Sequence, residues 1–98
     1  MSPDVERLSD ADLAARGMAI AAHARREPDG SALIAGERRR IWRELNGRAN
    51  QLARALREAG LRPGDAVALI AHNDFGFVET WAACMRSGLR LTPVNWHQ

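Results

Sequence analysis

Residues 66–71 read Ala-Val-Ala-Leu-Ile-Ala, an apolar run with no polar alternation, and it constrains the fold more than any other stretch. A strand with one wet face alternates apolar and polar residues, whereas a parallel strand covered on both faces is apolar throughout. Arg62-Pro63-Gly64-Asp65 leads into the run with proline at i+1 and glycine at i+2, the pattern of a type II turn. Asn73 or Asp74 then caps a helix whose stripe is Val78, Trp81, Ala82 and Met85, with Gly88 as its stop, and residues 89–94 form a second strand. Strand, helix, strand is a βαβ unit, whose strands lie parallel through a right-handed crossover. The fold class is therefore α/β, and the paired strands need helices on both faces.

The chain before this unit reads as two helices around a hairpin. Residues 9–26 form a first helix, with Ser9 as N-cap, Asp12 three residues on, and Leu13, Gly17, Ile20, Ala21 and Ala24 along one face. Pro28 stops it by disfavouring helical geometry at Glu27. Residues 31–42 suggest a hairpin with Gly36-Glu37 as a type II′ turn and Arg38, Arg39, Arg40 and Ile41 as the second arm. Residues 42–59 form the next helix, with Leu45, Ala49, Leu52, Ala53 and Leu56 on one stripe and Gly60 at its C′ position. Asn46-Gly47 would be a turn elsewhere, but here the stripe outweighs it.

Composition removes several chemistries. All fourteen basic residues are arginine, so a lysine Schiff base, a phosphate-loop lysine and a lysine base are not encoded; tyrosine is absent too. The single cysteine, Cys84, allows no intrachain disulfide, and the three histidines do not cluster with it as metal ligands would. Residues 1–8 carry Asp4 and Glu6 with no apolar run behind them and are expected to be disordered rather than a signal peptide. No run of membrane-spanning length exists, and the chain is expected to be cytoplasmic. With 98 residues, it is one domain at most. The formal charge is only +2 because twelve carboxylates are interleaved with the arginines, so no broad basic face is expected.

The sequence Trp42-Arg-Glu-Leu-Asn-Gly-Arg-Ala-Asn-Gln-Leu-Ala-Arg-Ala-Leu, then Gly60-Leu-Arg-Pro-Gly-Asp-Ala-Val-Ala-Leu, then Phe77-Val-Glu-Thr-Trp-Ala-Ala-Cys and Leu91-Thr-Pro-Val-Asn-Trp-His resembles the N-terminal part of AMP-forming acyl-CoA synthetases, members of the adenylate-forming enzymes. The order and spacing of these parts carry the resemblance, which covers residues 13–98. The ending Thr92-Pro-Val-Asn-Trp-His is most similar to that of bacterial fatty-acid-CoA ligases. Ile41 departs from the threonine or serine that usually caps the helix bearing Glu44-Leu45-Asn46. The resemblance implies the N-terminal portion of the family's large AMP-binding domain: three helices, a hairpin and a parallel βαβ unit in an incomplete sheet, spanning 1–98. It also implies a parent enzyme that activates a carboxylic or fatty acid with ATP and Mg²⁺ and passes the acyl group to coenzyme A. The family's lysine phosphate loop, aromatic-Gly-x-Thr-Glu segment, ribose-binding aspartate and C-terminal catalytic lysine follow a Pro-x-Asn segment like Pro93 to Asn95. None of them is present here. No catalytic, cofactor-binding or metal residue is therefore assigned, and the chain is expected to be an inactive front end that the rest of the enzyme completes.

Individual residues receive structural readings. Arg38, Arg39 and Arg40 are expected to be a solvated charge run protecting an edge strand, ahead of a phosphate site. His72, Asn73, Asp74 and Gly76 lie on the ligand-binding side of such a sheet and are read as cap and loop. His23 complements a helix C-terminus. Cys84, Trp81 and Met85 are read as core, while Trp96 and His97 receive no role. The alternative is a small stand-alone basic helical protein binding nucleic acid or a protein partner, motivated by the arginines of the middle helix.

Overall fold

The computed structural model describes residues 8–70 and 75–94. Its elements in order are α1 (Asp10–Ala15), α2 (Ala19–Arg26), β1 (Ser31–Ala35), β2 (Arg38–Ile41), α3 (Trp42–Glu58), β3 (Ala66–Ile70), α4 (Phe75–Ser87) and β4 (Arg90–Val94). The βαβ unit is present: β3 and β4 are parallel, with Ala66 opposite Arg90 and Ile70 opposite Val94. β1 and β2 form a separate antiparallel hairpin. The expected disorder of residues 1–8 falls mostly outside the described residues, but Leu8 is described, and its carbonyl accepts from Arg25 at 2.7 Å.

The expected first helix is two helices. Ser9 caps α1 reciprocally with Asp12, as its spacing indicates. The break comes at Gly17, whose φ is +73°, with Met18 N donating to Leu13 O and Gly17 N donating to Ala14 O. That pair of bonds is a Schellman termination. Glycine is needed there for a second reason: a Cβ at position 17 would lie 2.4 Å from the Met85 carbonyl oxygen of α4. The small-residue face that suggested one long helix serves a close approach between elements.

The same termination closes α3, where Gly60 N donates to Arg57 O and Leu61 N donates to Leu56 O. It also closes α4, where Gly88 N donates to Met85 O and Leu89 N donates to Cys84 O. At the N-terminus of α3 half of a capping box survives: Ile41 N donates to Glu44 Oε1 at 3.1 Å, while Ile41 has no side-chain acceptor to return the bond. In the turn before β3, Gly64 has φ +94° and Asp65 N donates to Arg62 O, as a type II turn requires. Gly36 has φ +61° and no non-glycine residue described has positive φ, which fits type II′ and excludes type I′.

The core lies where α2, α3, α4 and the hairpin meet. Ile20, Leu45, Ala49 and Ala82 are buried together, with Ala32, Leu33, Trp42 and Val78 packed against them. A register shift between Ser31 and Leu33 makes Ala32 the extra residue of a β-bulge, so two successive residues of β1 reach this core. The β3–β4 ladder is different. Ala66 and Ala68 are exposed, Val67 and Leu69 half-buried, and Thr92, Pro93 and Val94 exposed. Among the described residues the run is therefore partly covered on its Val67 and Leu69 face and bare on its Ala66 and Ala68 face. No helix described is long and apolar enough to cross a membrane.

Candidate functional site

α4 is the element on which the polar chemistry converges. Its first half meets the arginine run of β2. Alternation sends Arg38 and Arg40 toward Phe75, with guanidinium carbons 4.7 and 5.2 Å from the ring centroid. Arg40 Nε also faces Glu79 Oε1 at 3.4 Å, and Arg48 Nε of α3 reaches the same oxygen at 3.7 Å. The Arg40 and Glu79 side chains are only 17% and 14% exposed. Arg39 points the other way and donates to Ser31 Oγ and to the Asp29 carbonyl. The solvated charge run expected here is thus corrected for Arg40: an acid from another element draws it into a clamp between β2, α3 and α4. Glu79 and the Phe75 face engage the inward charges of the run, while Arg38 and Arg39 remain exposed.

The second half of α4 carries Arg86, whose Nη1 donates to Asn46 Oδ1 at 3.0 Å and Asn50 Oδ1 at 2.6 Å on α3. This explains why Asn46 sits inside a helix rather than in a turn. Burial holds the Arg86 guanidinium below its usual pKa, because removal from water disfavours the charged form. Sequence reasoning missed Arg86. The available signal was an arginine directly after Met85, itself a member of the apolar stripe.

The remaining candidates fall as follows. Cys84 is fully buried and free, and burial pushes its thiol pKa up, which suits a packed hydrophobe and not a nucleophile. His23 stacks on Trp42 with ring centroids 4.5 Å apart, joining α2 to the start of α3, so its role is packing as well as position in the last turn of α2. Trp81 is 43% exposed, which corrects its assignment to the core. The buried face of α4 runs through Phe75, Ala82, Ala83 and Cys84, leaving Trp81 beside Gly17 and Ile20 on an open apolar depression. Gly76 accepts a helical side-chain bond from Thr80 Oγ1 at 2.8 Å. His72, Asn73, Asp74, Trp96 and His97 lie outside the described residues.

No three His, Cys, Asp or Glu side chains converge as metal ligands among the described residues. They also bring no nucleophile beside a base. Among the described residues the polar groups join elements, Arg40 and Arg48 to Glu79 and Arg86 to Asn46 and Asn50.

The profile of the family described as AMP-binding enzyme matches residues 20–98. A fatty acid–[acyl-carrier-protein] ligase of Streptomyces coeruleorubidus is 38% identical over 74 residues, which is 76% of this chain and 14% of that protein. A feruloyl-CoA synthase of an Amycolatopsis species is 38% identical over 73 residues, 74% of this chain and 15% of that protein. Among solved structures, an artificially fused adenylation-PCP di-domain NRPS from Klebsiella oxytoca superposes with a TM-score of 0.75 at 31% identity, covering 82% of this chain and 15% of that one. The chain thus spans about a seventh of the length of these relatives.

Proposed function

Because this chain belongs to the AMP-binding enzyme family and corresponds to the N-terminal part of an adenylate-forming enzyme, we propose that its parent activates a carboxylic acid with ATP as an acyl-adenylate and transfers the acyl group to coenzyme A. The observation that carries this reading is the family match across 20–98 together with a fold shared with an adenylation domain. Adenylation makes the reaction feasible because AMP is a far better leaving group than hydroxide. The attacking thiolate then forms the new acyl–sulfur bond as the acyl–phosphate bond breaks. ATP with Mg²⁺ supplies that activation when bound, and charge on the phosphates must be offset where it develops. The described residues build the supporting wall: α2, α3 and α4 hold the hairpin on one side and present the β3–β4 ladder on the other.

This stretch alone is proposed to be inactive, since it has no lysine to meet the phosphates and no metal-ligand set among its described residues. We propose that the parent is cytoplasmic, where ATP and coenzyme A are available. The acceptor has a second reading, a carrier-protein thiol, favoured by the name of the Streptomyces relative. Acid-dependent exchange of labelled pyrophosphate into ATP tests the activity. Background exchange by the 98-residue chain, and exchange by a protein continuing into the lysine-bearing motifs, is expected; exchange by the short chain overturns the proposal. Product analysis with coenzyme A and a carrier protein offered separately decides the acceptor. The stand-alone nucleic-acid reading would be favoured by filter binding that falls steeply with salt.

A further inference from the structure

Where α3 and α4 end side by side, the structure leaves a cleft of about 440 Å³ lined by Arg57, Leu61, Arg62, Pro63, Arg86 and Ser87 among others. None of its described lining residues is acidic. A smaller cleft of about 220 Å³ adjoins the same cations, being lined by Asn50, Arg54, Arg57 and Arg86, again with no described acid. This is unusual in a chain that carries twelve carboxylates against fourteen arginines. Elsewhere acids pair with arginines: Asp10 with Arg25 and Arg26, Asp29 with Arg43, Glu79 with Arg40 and Arg48.

The arginines at the cleft have no such partner. The side chains of Arg57 and Arg62 make no ion pair or hydrogen bond among the described residues, and both residues are exposed; the Asp65 carboxylate accepts from the Arg62 backbone N–H at 2.8 Å and not from its guanidinium. Beneath them, Arg86 Nε and Nη2 and Ser87 Oγ are closed off from solvent without any hydrogen-bond partner among the described residues. Closed to water, these atoms are closed to a ligand as well, so Arg86 acts on the cleft through its charge and not through a direct bond. At the two helix C-termini the carbonyls of Leu56, Arg57, Cys84 and Met85 accept from the Leu61, Gly60, Leu89 and Gly88 N–H groups, so these four are bonded within the chain. The turn is fixed against the end of α4 by Gly64 N donating to Gly88 O at 2.8 Å, which holds Arg62 beside Arg86.

We propose that this cleft is an anion site for a phosphate-type oxyanion, bound by the guanidinium groups of Arg57 and Arg62 over the buried charge of Arg86. A tetrahedral oxyanion fits because it accepts from several guanidinium groups at once, and a dianion offsets the mutual repulsion of the three cations. Chloride screens that repulsion but cannot accept in a bidentate fork. The site requires nothing of the adenylation reading, and its binding test contains no ATP.

Equilibrium dialysis of the 98-residue chain against radiolabelled inorganic phosphate, at ionic strength held constant with sodium chloride, tests the proposal. Saturable binding is expected, displaced by sulfate and not by acetate. The double variant R57Q/R62Q changes only exposed side chains and should weaken binding at least tenfold with an unchanged circular dichroism spectrum. R86Q risks the fold, so the exposed pair carries the test. Non-saturable binding, displacement by acetate as readily as by sulfate, or unchanged affinity in R57Q/R62Q overturns the site. Loss of binding without loss of pyrophosphate exchange in the longer enzyme would leave the functional reading standing, and the reverse result would leave the anion site standing.

Discussion

Replacing Gly17 by alanine should be the most costly single-methyl change in the chain. Two penalties add. The first is backbone: φ is +73°, where a residue with Cβ is disfavoured by about 1–2 kcal/mol. The second is steric, because the new Cβ would sit 2.4 Å from Met85 O and 2.7 Å from Met85 C. Those atoms belong to the backbone of α4 and cannot rotate aside, so the α1–α2 joint must back away by close to an ångström. Overpacking of this kind costs about 1–3 kcal/mol. Gly64 supplies the control. It has φ +94° but nothing within 4 Å of its would-be Cβ, so Gly64→Ala carries the backbone penalty alone. Both changes narrow the unfolded ensemble equally, and that offset cancels in the difference. Gly17→Ala should therefore lose about 2–5 kcal/mol and Gly64→Ala about 1–2 kcal/mol. Urea unfolding followed by tryptophan fluorescence measures both, at a protein concentration where dilution does not move the transition. Equal losses in the two variants would show that α1–α2 does not dock on α4 as described.

Three further outcomes are expected. Glu79→Gln removes the acid shared by Arg40 and Arg48 and strands a cation that is only 17% exposed, so stability should fall by about 1–3 kcal/mol, while Arg48→Gln, half exposed, should cost under about 0.5 kcal/mol; equal effects in urea titrations would mean the clamp is idle. The Arg25 hydrogen bond holds the Asp10 carboxyl below its ordinary value of 3.8, so its contribution is complete above that value and fades as pH falls through the lower folded value. The melting temperature of Asp10→Asn should accordingly show a shallower acid limb than the parent, and parallel limbs would remove the ion pair from the account. Finally, Ala66, Ala68 and Val94 are exposed on the β3–β4 ladder and its outer edges are unpaired among the described residues, so the chain should associate; size-exclusion chromatography with light scattering would contradict this if it found one monodisperse monomer at both low and high concentration.

How much of this was legible in the sequence depended on whether one element or several decided the outcome. Gly60 and Gly88 end their helices as read, because a glycine after the last apolar position is a local signal and the Schellman bonds close within six residues. Gly17 lies within a stripe that continues in phase beyond it, so periodicity reads it as part of one helix; the Schellman bonds stop the helix there, and the close approach of Met85 on another helix, which periodicity cannot see, requires the glycine. The apolar run 66–71 specified a parallel partner, and β4 is that partner, yet its composition says nothing about which residues cover it. The bulge at Ala32 had no cue, since a register shift is settled only when Leu33 and Ala32 both find the core. Trp81 was misplaced by the same limit: Trp81, Ala82 and Met85 fit one stripe on paper, but the face that α3 meets is centred on Ala82 and leaves the indole at the rim.

Charge follows the same logic with a sharper consequence. Density along the chain singles out Arg38, Arg39 and Arg40, yet density is not field strength, because a guanidinium attracts an outside anion only if no inside acid has reached it first. Glu79 reaches Arg40 and Arg48 together, and the Phe75 ring receives Arg38, so the densest run is the one most fully engaged by tertiary contacts. Arg57, Arg62 and Arg86 look ordinary in sequence, scattered between the end of one helix, a turn and the end of another. The Schellman ends of α3 and α4 and the bond from Gly64 to Gly88 gather them where no described acid lines the wall. An anion site in an arginine-rich, acid-rich chain is therefore found by asking which arginines lack a carboxylate after folding, and that question has no answer until Glu79, Asp10 and Asp29 have chosen their partners.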